Sequence, residues 1–494
     1  MKDNKKMPSL TLKNIAKACN GIYVGALELQ EQEICGAVID SRLVEQDYLF
    51  IPIKGERVDG HKFIPQVFEK GALCVLSEMD LENPGGPYIK VDSTELALKQ
   101  IASFYRQQLS IRVVGITGSV GKTSTKEMIS SVISQKYKVH KTAGNFNNEI
   151  GLPLTIFGIR SEHEVAVLEM GISDFNEMHR LSEIANPDIC VITNIGLCHL
   201  ENLGTRDGVL QAKTECFAHM KEGGVAILNG DDDKLATQRE VNGKSAVFYG
   251  FGSGVASLEN GINDEVTNVV EYSICTENEY DSLCYTQKSI YATDIKNHGF
   301  EGMSAKVHTQ KGSFDVTISI PGEHNVYNAL AATAVGLELG LELEEIQKGI
   351  EEAKTIAGRT NVLKIKGMQV IDDCYNANPV SMEAALDVLS HASGRTIAVL
   401  GDMGELGENE KELHYGVGRV AGEKRIDTLF CAGILAKEYE KSAKMVNSDI
   451  KVFYFVDKND MINALLRYVK TGDSILIKAS HFMDFSKVVE ALKR

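Results

Sequence analysis

The sequence predicts an α/β protein of about three domains whose central unit is built on a mainly parallel sheet. Three observations predict it. The chain has 494 residues, which at roughly 150 residues per domain is too long for one core. Strand-like runs alternate with helical ones from Ser110 to about Asp231. The β-branched run Ile111 to Ile116 ends in glycines and a Lys-Thr pair that open a helix.

In chain order, IRVVGIT leads to a helix from Lys122, and EVAVLEM leads to a helical region between Asn176 and Ala185. DICVITNI then precedes a helix from Val209 to Met220, and GVAILNG closes the alternation. Residues 245–320 change character: KVHTQKGSFDVTISI alternates like antiparallel hairpins, here expected as an appendage on the central domain. A helix from Asn325 to Leu339 follows. A second α/β unit begins near Gly358, with strands at MQVIDD, TIAVLGD, TLFCAG and SILIKAS, while the first hundred residues form a third, smaller unit. No internal repeat is visible, and the polar stretch Gly254 to Asp281 is the candidate for a mobile insertion.

Composition narrows the partners. An apolar share of 43% is ample for globular cores. The net charge of −16 argues against a nucleic-acid or membrane-surface partner, so an anionic substrate must be held by locally placed cations and helix N-termini. Ten cysteines lie singly with no C-x-x-C pair, which suggests neither a zinc site nor a disulfide framework. The N-terminal segment MKDNKKMPSLTLKNIAKACN has no apolar stretch long enough for a signal peptide or membrane span, so a cytoplasmic location is expected.

The chemistry starts at residues 111–125. Gly118 and Gly121 lack side chains, so backbone N–H groups can close on phosphate oxygens at the start of a helix. Lys122 supplies a compact cation, the Thr123 hydroxyl can bind Mg²⁺, and Ser124 continues the loop into the helix. The spacing departs from G-x-x-x-x-G-K-[ST], because the first glycine falls one residue early, at Gly115. Glu169 ends a strand beside this loop, where a carboxylate either holds a phosphate-bound metal or is an ordinary strand-end acid. Asn194 and His199 fall on the same sheet edge. Lys213, on a helix, reads from its surroundings as a solvent-facing lysine. Asn325 and Asn328 lie one turn apart, a pair of amides suited to a purine edge or to capping. GRTN (358–361), IDDCYNANP (371–379) and LGDMGELG (400–407) are polar strand ends of the last unit. A phosphate loop on one domain and polar strand ends on the next imply an interface site closed by domain movement. A nucleotide-binding regulator would be expected to lack Lys122, Glu169 or His199, and a small-molecule kinase would release a phosphorylated product.

These residues together resemble the ATP-dependent Mur ligase family, which builds the peptide of bacterial cell-wall precursors. TAGNFNNEIGLPLTIF (142–157), LEMGISDFNEMHRL, TNIGLCHLENLG, DDCYNANPVSM and LGDMGELGE resemble the branch that joins D-Ala-D-Ala to UDP-N-acetylmuramoyl-tripeptide. The likeness runs from DSRLVEQDYLFIPIKGERVDGHKF (40–63) to SILIKASHFMDF, and the shortened glycine spacing is this family's form of the loop. The YNANP segment argues against the member that adds the third amino acid, and together with the DSR segment against folylpolyglutamate synthase.

The resemblance implies a UDP-substrate domain (1–108), a central ATP-binding domain (109–357) and a C-terminal Rossmann-like domain (358–494), in a monomer. It implies that Gly118, Gly121, Lys122, Thr123, Ser124, Asn325, Asn328, Arg359 and Asp373 bind ATP, with Asn325 at the adenine, Arg359 at a phosphate and Asp373 at the ribose. Thr123 would bind Mg²⁺, Glu169 and His199 a second Mg²⁺, and Lys213 would be carbamylated by CO₂ to support the metals. Ser41 and Arg42, beside Asp40, match the UDP-side motif. Asn147, Asn148, Tyr375, Asn376 and Asn378 lie where substrate is expected. The tripeptide carboxylate would attack the γ-phosphate of ATP to give an acyl phosphate, which the dipeptide amine then attacks. Ala479 and His481 stand where a glycine and an arginine are expected, and the insertion around residues 250–290 has no clear counterpart. The general base stays unassigned.

Overall fold

The computed structural model describes residues 6–55, 58–252 and 288–494. The stretch Gly254 to Asp281, expected as a mobile insertion, lies outside the described residues. Three sheets organise the rest. The first, of five strands, runs in the order Ile22–Val24, Tyr88–Lys90, Cys74–Ser77, Tyr48–Phe50, Gly36–Val38, with Ile22–Val24 antiparallel and the other pairs parallel.

The central sheet has nine strands. From Val139–Lys141 it passes through Val165–Glu169, Arg112–Thr117, Ile189–Ile192, Val225–Asn229 and Val247–Phe251 to Ile290–Asn297, all neighbours parallel. Met303–Thr309 and Gly312–Ile318 then add antiparallel. Continuous apolar runs suit strands covered on both faces. Ala166 and Leu168 pack with Ile101, Ile156 and Leu181, while Val165 and Val167 pack with Met128, Ile129 and Val335, as the period of two requires.

The described parts of 245–320 are no appendage: Val247–Phe251 and the three following strands prolong the central sheet itself. Their alternation arises because the helices His324–Glu338 and Leu343–Glu351 cover one face; Val307 and Val316 share a core with Leu341 and Ile346. The other face is more open to water.

The last sheet has six strands in the order Asn361–Ile365, Met368–Asp372, Ser474–Lys478, Thr396–Gly401, Thr428–Ala432, Lys451–Phe455, of which only the first pair is antiparallel. The two edge strands were not anticipated, since partial exposure breaks their apolar runs. The helix Thr94–Gln108 ties the first and central units together: Tyr105 Oη donates to Ile159 O at 2.9 Å and Arg106 Nε to Ala185 O at 2.9 Å. No helix among the described residues is long and apolar enough to cross a membrane.

Strand order sets up the site. Arg112–Thr117 lies between Val165–Glu169 and Ile189–Ile192, so the turn after it is flanked by Glu169 and Asn194. Met368–Asp372, Ser474–Lys478 and Thr396–Gly401 are likewise adjacent, and the residues after their carboxyl ends face one edge.

Candidate active site

A cleft of about 660 Å³ lies between these two sheet edges, lined by the phosphate loop, Glu169 and His199 on one side and by Arg359, Asp373, Tyr375 and Lys478 on the other. The loop's shape depends on its glycines. Gly118 has φ 147° and a Cβ there would sit 2.0 Å from Thr193 Oγ1; Gly121 has φ 86°. Gly121 caps the helix Lys122–Ile133 without a side-chain acceptor, which leaves its first N–H groups to a ligand. Asn194 braces the loop, accepting from Val120 N and donating to Val120 O, both at 2.9 Å. Lys122 Nζ donates to Gly118 O at 2.8 Å, and burial lowers the pKa of its ammonium.

Glu169 is 1% exposed. Its Oε1 accepts from Thr123 Oγ1 at 3.1 Å and Asn147 Nδ2 at 2.8 Å, while Oε2 has no hydrogen-bond partner among the described residues. A buried carboxylate oxygen without a donor, next to a threonine hydroxyl, fits a hard divalent cation such as Mg²⁺. Behind it the buried Lys126 approaches Oε2 at 3.7 Å and donates to Thr142 O at 2.8 Å.

Lys213 is 1% exposed, which overturns its reading as a solvent-facing side chain. Its helix Arg206–Thr214 buries Val209, Ala212 and Lys213 on one face. Burial, then the neighbouring Lys122, lowers its pKa to about 8. Lys213 does not line the cleft.

His199, with φ 51°, pairs through Nδ1 with Glu405 Oε2 at 2.9 Å, so central and last domains touch at the cleft. The imidazole holds the Glu405 carboxyl below its usual range. Glu169 and His199 line the same cleft; no group of three His, Cys, Asp or Glu suited to a metal occurs among the described residues.

On the opposite wall, the Arg359 guanidinium lies 4.0 Å over the Tyr375 ring, and its buried Nε has no hydrogen-bond partner among the described residues. Asp373 accepts from Thr360 N at 2.9 Å and from Lys478 Nζ at 2.5 Å, which engages both of its oxygens. Lys478 also donates to Asn376 O at 3.1 Å.

Residues 116–336 match the Mur ligase middle domain, 358–481 the Mur ligase glutamate ligase domain and 33–106 the Mur ligase family catalytic domain. The chain belongs to the Mur ligase family. It is 38% identical, over 98% of both chains, to the UDP-N-acetylmuramoyl-tripeptide--D-alanyl-D-alanine ligase of Bacillus subtilis (strain 168). A crystal structure of MurF from Acinetobacter baumannii superposes with a TM-score of 0.83 at 32% identity, covering 98% of each chain. The MurF ligase of Thermotoga maritima in complex with ADP gives 0.76 at 29% identity, covering 93% of this chain and 97% of that one.

In this Mur ligase the cleft collects most of the residues singled out in the sequence, including Ser124, Asn148, Asn328 and Asn376. Others are placed differently. Asn325, expected at the adenine, is buried and does not line the cleft; it donates to Pro321 O at 2.8 Å and accepts from Asn328 Nδ2 at 2.9 Å. Asn148 and Asn378 do line the cleft, while the oxygen of each also accepts locally, Asn148 from Gly151 N at 2.8 Å and Asn378, capping the helix Pro379–Ser390, from Ser381 N at 2.9 Å. Ser41 and Arg42 lie outside the cleft, with Arg42 folded onto Asp40 at 2.6 Å. Lys126, Lys478 and Glu405 were missed. A lysine at a parallel strand's carboxyl end was the available signal for Lys478, while helical spacing did not mark Lys126.

Proposed function

We propose that this Mur ligase joins D-Ala-D-Ala to UDP-N-acetylmuramoyl-tripeptide at the expense of ATP, giving ADP and phosphate through an acyl phosphate. The observation that carries the reading is the cleft itself, which sets Lys122 and Thr123 of one domain against Arg359 of another in a chain that shares its full length with ligases of that name.

The demand on the site is charge neutralisation, because a carboxylate must approach the γ-phosphate. Lys122 releases Gly118 O and turns to phosphate oxygens, and the free N–H groups after Gly121 meet the same charge. Arg359, held over Tyr375, offers its unpartnered Nε from the last domain. Bound Mg²⁺ would be held by Thr123 and the Glu169 carboxylate and would supply further neutralisation there. Asn147 and Lys126 fix the Glu169 carboxylate in place. Asp373, backed by Lys478, faces the nucleotide's sugar side, and Asn325 orients Asn328 from beneath. Lys213, buried and with its amine made less basic, is suited to take up CO₂ as a carbamate. Positioning on two domains does the rest once the cleft closes.

Residues 1–108 are assigned to the UDP-substrate, with Asp40, Ser41 and Arg42 at its nucleotide end; 109–357 hold ATP and 358–494 complete the site. The enzyme acts as a monomer in the cytoplasm, where ATP is supplied. Mass spectrometry of the product from ATP, UDP-N-acetylmuramoyl-tripeptide and D-Ala-D-Ala tests the reading: a mass gain of one dipeptide minus water is expected. A mass gain of a phosphoryl group instead would make this chain a kinase.

A further inference from the structure

We infer that Glu405 receives the ammonium group of the incoming dipeptide, giving up His199 to do so. The inference rests on the ligase reading above. A cleft built for phosphates and carboxylates must also bind an amine that arrives as an ammonium ion, and that needs a carboxylate free to take it; the nitrogen attacks only after giving up a proton.

The acids that line the cleft are largely engaged. Asp373 is bound to Lys478, Glu149 to Lys99 and Arg180, and Glu95 to Lys99. Glu169 has Thr123, Asn147 and Lys126 around it. Glu177 accepts from Ser173 N at 2.7 Å and Asp174 N at 3.2 Å, and so closes that turn. Glu405 is different. Its partner is a histidine, its side chain is 68% exposed, and it projects into the cleft from the last domain. An ammonium ion carries a full charge and three donors, so it competes well against an imidazole for one carboxylate.

The backbone gives a second, independent observation. Glu405 has φ 59° and His199 φ 51°, so both contacting residues hold the left-handed region that non-glycine residues rarely adopt. Such outliers persist where the surroundings over-determine them, and they cluster at ligand clamps. The Glu405 loop is fixed by Gly404 N donating to Ser480 Oγ at 2.9 Å and by Met403 N donating to His414 Nε2 at 2.9 Å. Val380 and Ala384 line the same cleft from the helix Pro379–Ser390, an apolar surface for small alkyl side chains. The ligand class is therefore a primary ammonium next to a small alkyl group.

The test is a competition in the full-length enzyme between D-Ala-D-Ala and hydroxylamine, which is mostly uncharged at neutral pH and intercepts the same acyl phosphate as a hydroxamate. Glu405→Gln keeps the shape of an exposed side chain while removing its charge. Loss of a hydrogen bond to a charged group predicts a KM for D-Ala-D-Ala raised about tenfold or more, with KM for ATP moving less. The ratio of hydroxamate to dipeptide product should rise in step. An unchanged ratio, or a KM for ATP that rises as much as that for the dipeptide, overturns the assignment. Wild-type enzyme that makes no hydroxamate would refute the acyl-phosphate reading itself, and the Glu405 role with it.

Discussion

Lys478 Nζ donates to Asp373 Oδ2 at 2.5 Å, joining the ends of two adjacent parallel strands at the rim of the cleft. Lys478 is only 3% exposed. Lys478→Met therefore leaves a largely buried carboxylate without its cation, which costs about 3 kcal/mol of stability. Denaturant unfolding should show the loss, and KM for ATP should rise more than KM for D-Ala-D-Ala. A variant within about 0.5 kcal/mol of wild type would mean that water replaces the lysine without cost.

Lys122→Ala should reduce turnover by about a hundredfold or more, as removal of a preorganised cation from a phosphoryl-transfer site does. The fold should survive, because Lys122 bonds to loop carbonyls and not to the core. Turnover together with the thermal midpoint checks both halves. Full activity would refute the loop assignment.

Tyr375 is expected to act through Arg359, whose guanidinium lies over its ring. Tyr375→Leu should weaken ATP binding by about 0.5 to 2 kcal/mol, and Tyr375→Phe should not, since the ring face is what counts. Equal effects of both substitutions in nucleotide titrations would shift the role to the phenol hydroxyl.

Lys213→Ala should lose most activity, and acetate or formate should restore part of it by returning a carboxylate to the vacated space. Carbamate formation needs the neutral amine, and the Lys213 pKa is lowered to about 8 by burial and by Lys122, so labelling with ¹³C-bicarbonate should grow as pH rises through that value. The sign for stability follows from the same shift: the folded chain binds fewer protons than the unfolded one between about 8 and 10.5, so Lys213 makes stability rise with pH in that window. A variant with normal activity, or a wild-type enzyme without a ¹³C signal, would leave Lys213 a plain buried lysine.

The sequence made the central architecture legible where chemistry is local. Gly118, Gly121 and Lys122 follow a β-branched strand, so strand, turn and helix announce one another. Glu169 could be placed at the loop because strand ends in parallel sheets share an edge. Contacts between distant segments were not legible in this way. Nothing around Glu405 or His199 signals that they meet, since the pairing depends on how two domains sit. Lys126 and Lys213 carry the most polar of side chains on helices, and only tertiary packing turns them inward. Asn325 and Asn378, expected at ligands, also make local hydrogen bonds that their spacing does not reveal: Asn325 donates to Pro321 O, and Asn378, which lines the cleft, accepts from Ser381 N. The strands after Val247 were misassigned to an appendage because alternation reports one covered face and not which sheet a strand joins.

Phosphate release is the most direct measurement of the central claim. With ATP, Mg²⁺ and UDP-N-acetylmuramoyl-tripeptide, release should depend on D-Ala-D-Ala and match its consumption mole for mole. Robust release with neither D-Ala-D-Ala nor the UDP-substrate, or dipeptide consumption without phosphate, would contradict the account.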